Sequence, residues 1–264
     1  MMILHDSDPR FGVAFRDISG AHPVIRLPCN ESLRILPKSG MSAIYNSLLA
    51  CELVSRKSLD RGESRRVYGD GVYGGNPMYS CIGVLASRTG GIADTKKCYS
   101  SMSKVHWKVI MKMATRAEAA LESLADTEVI HQLHAAKRII PFKTMVAPDL
   151  NLSAKYFGAM AFGQNVFARC HTDEDFTMSV TQIYLEGVDR YDISDRVVDY
   201  FCFPTLGVAI PMRSGDYVIF DSIVPHCLFS RCHSSSDNII GVSFYLKTLV
   251  VGLNDNSIPL TPIK

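Results

Sequence analysis

From about residue 157 to residue 247 the chain reads as a train of short extended segments, and no other feature restricts its possible folds as strongly. Ala159-Met160-Ala161-Phe162, Asn165-Val166-Phe167-Ala168, Thr177 to Leu185, Val208 to Met212, Tyr217 to Phe220, Cys227 to Ser230 and Ile239 to Leu246 read as strands separated by Gly, Asp, Ser or Pro clusters. Many short strands in direct succession imply an antiparallel barrel or sandwich.

The preceding part of the chain has a different texture. Val24-Ile25-Arg26-Leu27 and Leu33-Arg34-Ile35-Leu36 read as strands ended by Pro28 and Pro37, and Ile44, Leu48 and Cys51 make a helical stripe after Gly40. From Ser103 onwards Val105, Val109, Met113, Ala117, Ala120, Leu121 and Leu124 recur at helical spacing, with Lys104, Lys108, Lys112, Arg116, Glu118 and Glu122 on other faces. A shorter helix is expected from Thr127, carrying Ile130, Leu133 and His134 before Pro141. Because the helices precede the strands rather than alternate with them, they are expected to brace the outside of one sheet. The expectation is an α+β chain forming a single domain over 1–264, with a helical and mixed support region over 1–155 and a β core over 156–250. No repeat, low-complexity segment or clear linker divides it.

A chain of 264 residues that is 47% hydrophobic can bury one large core. No apolar run approaches the length of a bilayer span, and the first residues lack the basic and apolar regions of a signal peptide, so an intracellular protein, nuclear or cytoplasmic, is expected. The eight cysteines are scattered and include no CxxC, which suits free thiols. Cys227, Cys232 and His233 lie close together, but without a second ligand pair they read as ordinary thiols rather than a zinc site. A net charge of +2 permits nucleic acid as a partner without arguing for it. The basic run Arg56, Lys57, Arg61, Arg65 and Arg66 leads into Gly69-Asp70-Gly71-Val72-Tyr73-Gly74-Gly75-Asn76-Pro77, which has too many turn-formers for a regular element. It reads as a solvated surface followed by turns, or alternatively as a flap whose arginines contact phosphates.

The chemistry concentrates in Cys170-His171-Thr172-Asp173-Glu174-Asp175-Phe176. On an extended chain positions i and i+2 face one side, so His171 and Asp173 can offer an imidazole nitrogen and a carboxylate oxygen to one ion. Downstream, Gly215-Asp216 makes a turn, Tyr217 to Phe220 a strand, and Val224-Pro225-His226 brings a second histidine onto the next strand. Two histidines and one carboxylate leave coordination positions open, as iron(II) requires to meet a co-substrate and dioxygen. Glu174 and Asp175 read as solvated turn carboxylates, Trp107 as a packing residue, and His131 and His134 as helix-surface residues. There is no Gly-x-Ser-x-Gly elbow and no Rossmann fingerprint.

Through His171-Thr172-Asp173, Gly215-Asp216 and Val224-Pro225-His226, the sequence resembles the Fe(II)/2-oxoglutarate dioxygenase superfamily. Phe162-Gly163, His171 to Phe176, Pro225-His226-Cys227 and Ser230-Arg231 look most like the TET/JBP-type nucleic-acid-base oxygenases and their algal and protist relatives. The resemblance implies a double-stranded β-helix (jelly-roll) core, iron(II) on His171, Asp173 and His226, and oxidative decarboxylation of 2-oxoglutarate. It further implies attack on the methyl group of a pyrimidine in DNA, 5-methylcytosine or thymine, with dioxygen as oxidant. The sequence departs from the superfamily where a basic residue usually anchors the co-substrate, since Ser236, Asp237 and Asn238 stand there. Arg231 is the nearest cation, and strict alternation from an inward His226 turns it outward unless a bulge intervenes. On the last strand Gly241, Ser243 and Tyr245 share a face that suits a co-substrate pocket, and Lys247 lies near its far end. Arg231 and Ser243 are therefore the candidate co-substrate contacts, and ascorbate stands as an alternative electron source. The alternative functions are hydroxylation of a protein side chain or small metabolite, and a cupin-like metal protein without oxygen chemistry.

Overall fold

The computed structural model describes residues 103–124, 130–135, 145–147, 150–164, 170–176, 178–185, 197–229 and 239–248, together with residues 46 and 48 and eight short strands before residue 95. Those eight are β1 (Met2–Ile3), β2 (Val13–Phe15), β3 (Val24–Leu27), β4 (Val54–Ser55), β5 (Arg66–Tyr68), β6 (Gly71–Tyr73), β7 (Met78–Ala86) and β8 (Ile92–Asp94). The long helix Lys104–Leu124 follows. After it come β9 (Val146–Ala147), β10 (Leu152–Ser153), β11 (Ala159–Gln164), β12 (Met178–Leu185), β13 (Asp199–Phe203), β14 (Val208–Met212), β15 (Tyr217–Asp221), β16 (Cys227–Phe229) and β17 (Ile239–Tyr245).

Two sheets carry the architecture. The larger runs β2-β3-β15-β12-β17-β11-β7-β4, with β8 paired to β7, and its strands pair antiparallel throughout. The smaller runs β1-β14-β13-β16, antiparallel except for the parallel pair of β1 with β14. Among the described residues the strands form separate sheets rather than one closed barrel.

Strand periodicity explains why the large sheet reads as nearly unbroken apolar sequence: both of its faces are covered. Met160, Phe162, Val180, Tyr184, Ile219, Ile240, Val242 and Phe244 belong to a core that also contains Trp107, Ile110, Met113, Ala114, Ala117 and Leu121 of the long helix. The alternate residues Ile183, Leu185, Val218, Phe220 and Ile239 join Phe201, Phe203, Val208, Ile210 and Met212 of the small sheet in a second core. Further along the same inward face the side chains become small or polar, at Ala161, Gly163, Ser179, Thr181, Gly241 and Ser243, and there a cavity opens.

The helix begins with Ser103, whose hydroxyl accepts from His106 N at 3.4 Å. Its apolar stripe starts later than periodicity suggests, because Val105 is 70% exposed while Trp107 is buried as a packing residue. Residues 130–135 are helical, with Leu133 buried and His131 and His134 exposed. The segment over 69–77 corrects the expectation of turns alone, since Gly71–Tyr73 pairs with Arg66–Tyr68 as a two-stranded ribbon. Leu33 to Leu36 and Asn165 to Ala168 lie outside the described residues.

Candidate metal centre

The segment 170–176 switches sheets, and that switch builds the site. His171 and His226 exchange both backbone hydrogen bonds, at 3.0 and 2.9 Å, on the edge that leads into β16. Four residues later Asp175 bridges to Lys247 beyond the end of β17, flanked by Phe176 N to Leu246 O at 2.6 Å and Thr248 N to Glu174 O at 3.1 Å. Between these anchorages Asp173 N donates to Ser222 O at 2.9 Å, and the Ser222 hydroxyl donates back to Asp173 O at 3.1 Å. His171 and Asp173 thus meet through two isolated bridges and a serine clamp, rather than on one regular strand as the spacing suggested.

The three expected ligands converge. Asp173 Oδ2 lies 3.5 Å from His171 Nε2 and 3.8 Å from His226 Nε2, and one donor atom from each residue falls within 4.8 Å of the others. His226 Nδ1 is 2.9 Å from Val224 O, and because a carbonyl only accepts, Nδ1 carries the proton and Nε2 keeps its lone pair for the site. The ring is fixed further by Phe201, stacked at 10° and 5.7 Å between centroids, and by Phe220 at 4.7 Å. Burial holds the His226 imidazole below its ordinary range, which keeps it neutral near pH 7. Burial pushes the Asp173 carboxyl up, but the hydrogen bond with His171 and the Lys247 charge outweigh it and hold the group well below the usual carboxylate range. Two imidazoles and one ionised carboxylate on one side of an open cavity are a donor set that fits a divalent first-row metal with free coordination positions.

Asp175 corrects the reading of a solvated turn carboxylate. Its side chain is 3% exposed, with Oδ1 at 2.6 Å from Lys247 Nζ, while Oδ2 accepts from Ser179 Oγ at 2.6 Å. The Lys247 contact satisfies Oδ1 through charge rather than through a well-aligned hydrogen bond. Burial pushes the Asp175 carboxyl up; burial also opposes the Lys247 charge, but the carboxylates of Asp175 and Asp173 outweigh it and keep the ammonium protonated. Lys247 Nζ is also 3.4 Å from Asp173 Oδ1. A sequence signal for Asp175 existed, since it continues the alternation of His171 and Asp173, and Lys247 continues that of Ser243 and Tyr245.

The triad opens on a cavity of about 300 Å³. Its floor has Gly163 of β11 directly opposite Gly241 of β17, and Thr181 opposite Ser243 with their hydroxyls 2.7 Å apart. Tyr245, whose hydroxyl is 3.0 Å from Cys81 Sγ, completes the wall on the Lys247 side. Ser243 is thus brought to the site, whereas Arg231 lies outside the described residues. So do Cys232, His233 and most of the Arg56 to Pro77 stretch, of which only the backbone ribbon of β5 and β6 is described. Cys227, next to His226, stands in register with Cys202 of β13, and both thiols are free.

No protein-family model matches the chain, and no curated protein matches it in sequence. Solved structures do. The structure of NgTET1 in complex with 5mC DNA superposes with a TM-score of 0.56 at 10% identity, over 90% of this chain and 77% of that one. The two therefore share a fold. Weaker likenesses are to the viral collagen prolyl hydroxylase of Paramecium bursaria Chlorella virus-1 as a 2OG complex, with TM-score 0.38, 12% identity and coverage of 81% and 92%. A third is to the dioxygenase for auxin oxidation 1 of Arabidopsis thaliana as a 2-oxoglutarate complex, with TM-score 0.39, 11% identity and coverage of 85% and 83%.

Proposed function

We propose that the chain is a mononuclear non-haem iron(II) oxygenase dependent on 2-oxoglutarate, built on a double-stranded β-helix braced by its helices. The observation that carries this reading is the convergence of His171, Asp173 and His226 at the mouth of the cavity, on a fold shared with a TET protein. The sheet order β15-β12-β17-β11 facing β14-β13-β16 supports the jelly-roll, and the pairing of β2, β3 and β7 into the large sheet supports a single domain.

Bound there, iron(II) would supply dioxygen activation coupled to decarboxylation of an oxoacid. The chain's own residues prepare for this in three ways. The Val224 carbonyl keeps His226 Nε2 free of a proton. Asp173, Asp175 and Lys247 sum to one negative charge, so a divalent ion makes the site cationic and suited to an oxoacid dianion. The paired glycines leave the volume that the co-substrate needs, with Ser243 hydrogen-bonding it and Arg231 as the second contact we assign.

The substrate we assign is a methylated pyrimidine in DNA, 5-methylcytosine or thymine, extruded from the duplex to reach the metal. Support comes from the fold shared with a protein solved on 5mC DNA. A second reading, hydroxylation of a protein side chain or small metabolite, is favoured by one feature: the described cavity lining holds a single cation, Lys247, and carboxylates already neutralise it. Nucleoside mass spectrometry of 5-methylcytosine DNA incubated with iron(II) protein, with 2-oxoglutarate and ascorbate supplied separately, decides between them. Oxidised bases that disappear in His171→Ala and Asp173→Ala protein are expected. Unchanged DNA with an iron-loaded protein would move the substrate to the second reading, and dependence on ascorbate alone would replace 2-oxoglutarate as co-substrate.

A further inference from the structure

Asp173 presents its two oxygens to different neighbours. Oδ2 faces both imidazoles, whereas Oδ1 lies 3.4 Å from Lys247 Nζ. A carboxylate can place both oxygens on one ion only by turning Oδ1 away from that ammonium. Lys247 itself is not free to follow, because Asp175 Oδ1 holds it at 2.6 Å and Ser179 holds the other Asp175 oxygen at 2.6 Å. The backbones of Asp175 and Lys247 are also bridged, so the two side chains cannot drift apart without breaking the pairing. His171, Asp173 and Asp175 are alternate residues of one segment: the first two face the metal position and the third secures the cation that restrains the second.

Resting on the metal-site reading above, we propose that Lys247, clamped by Asp175 and Ser179, is a positioning residue that restricts Asp173 to one-oxygen ligation. It thereby keeps one coordination position open that a two-oxygen carboxylate would fill.

The test uses the full chain and manganese(II) alone as probe, reading bound, rapidly exchanging water by proton relaxation. Lys247→Met together with Asp175→Asn removes both charges, so that no buried charge is left without its partner. Three of six positions are open in a facial triad, so loss of one should lower the relaxivity per bound ion by about a third. Lys247→Arg should restore most of it. Asp175→Asn alone, which leaves the ammonium present but unclamped, should show part of the loss and serves if the double variant does not fold. Relaxivity equal to the parent's in folded double variant, or in Asp175→Asn, would overturn the role of Lys247 while leaving the metal site intact. Manganese(II) bound equally well by Asp173→Ala protein would instead remove the metal reading, and this proposal with it.

Discussion

Gly241 stands in the middle of β17, where a glycine weakens a strand by roughly 0.5–1 kcal/mol relative to alanine. A Cβ built there would meet nothing within 4 Å, so close packing does not explain the residue. It faces the cavity opposite Gly163, and the account gives both a functional reason, as room for the co-substrate. Gly241→Val should therefore melt no lower than the parent and bind metal as before, yet need at least about tenfold more 2-oxoglutarate for half-maximal turnover. Parent-like co-substrate dependence in that variant would place the co-substrate elsewhere. At this scale the triad was legible because a ligand pair two apart and a third histidine entering a later strand form a pattern of residue types. Alternation placed Asp175 on the side of His171 and Asp173, but its burial was not legible, because an acid in a run of acids reads as solvated until Lys247, 72 positions away in sequence, is seen beside it. Ser243 and its face were readable from strand alternation alone.

Among elements, the long helix is fastened by one buried acid. Glu118 is 2% exposed and its Oε1 accepts from Tyr156 N at 2.7 Å and Phe157 N at 3.2 Å, tying the helix to the chain entering β11. Burial raises its carboxyl above the ordinary range despite these hydrogen bonds. The folded chain therefore holds that proton more tightly than the unfolded chain, so this group favours folding below the unfolded value near 4.5, and the contribution fades as pH rises through the folded value. Glu118→Gln keeps an acceptor oxygen and removes the buried charge, so its stability relative to the parent should improve as pH rises above about 5. Glu118→Ala orphans two buried N–H groups and should cost about 2–4 kcal/mol at pH 5, the difference from the parent shrinking toward pH 8 as the buried carboxyl loses its proton. Chemical denaturation of the three proteins at pH 5 and pH 8 measures both effects, and a parallel pH response in parent and Gln variant would contradict the buried-acid account. Most of the late strands, Val24–Leu27 and the long helix were legible from periodicity. β7 was not, because Gly83 interrupts it with φ +113° and an added Cβ would lie 2.3 Å from Gly158 O. The close approach that demands a glycine also makes the strand look like a turn. β13, Asp199–Phe203, was also missed, although its Phe201 and Phe203 are central to the inter-sheet core.

Across the whole molecule, the chain solves one problem with two sheets: the space between them is packed at one end by the second core and left open at the other, beside the metal position. The large sheet gathers strands from both ends of the sequence, with β3 beside β15 and β7 beside β11, contacts that no local pattern could indicate. Among the described residues no helix is long and apolar enough to cross a membrane. The most direct test of the account is oxygen uptake and succinate release by protein loaded with iron(II) under anaerobic conditions, begun by adding 2-oxoglutarate and air, with iron affinity measured alongside. The account predicts one iron per chain, oxygen uptake that depends on 2-oxoglutarate, and at least about a hundredfold loss of iron affinity in Asp173→Ala and His226→Ala. Iron held equally well by both variants, or an iron-loaded parent that takes up no oxygen with 2-oxoglutarate or ascorbate, would contradict it.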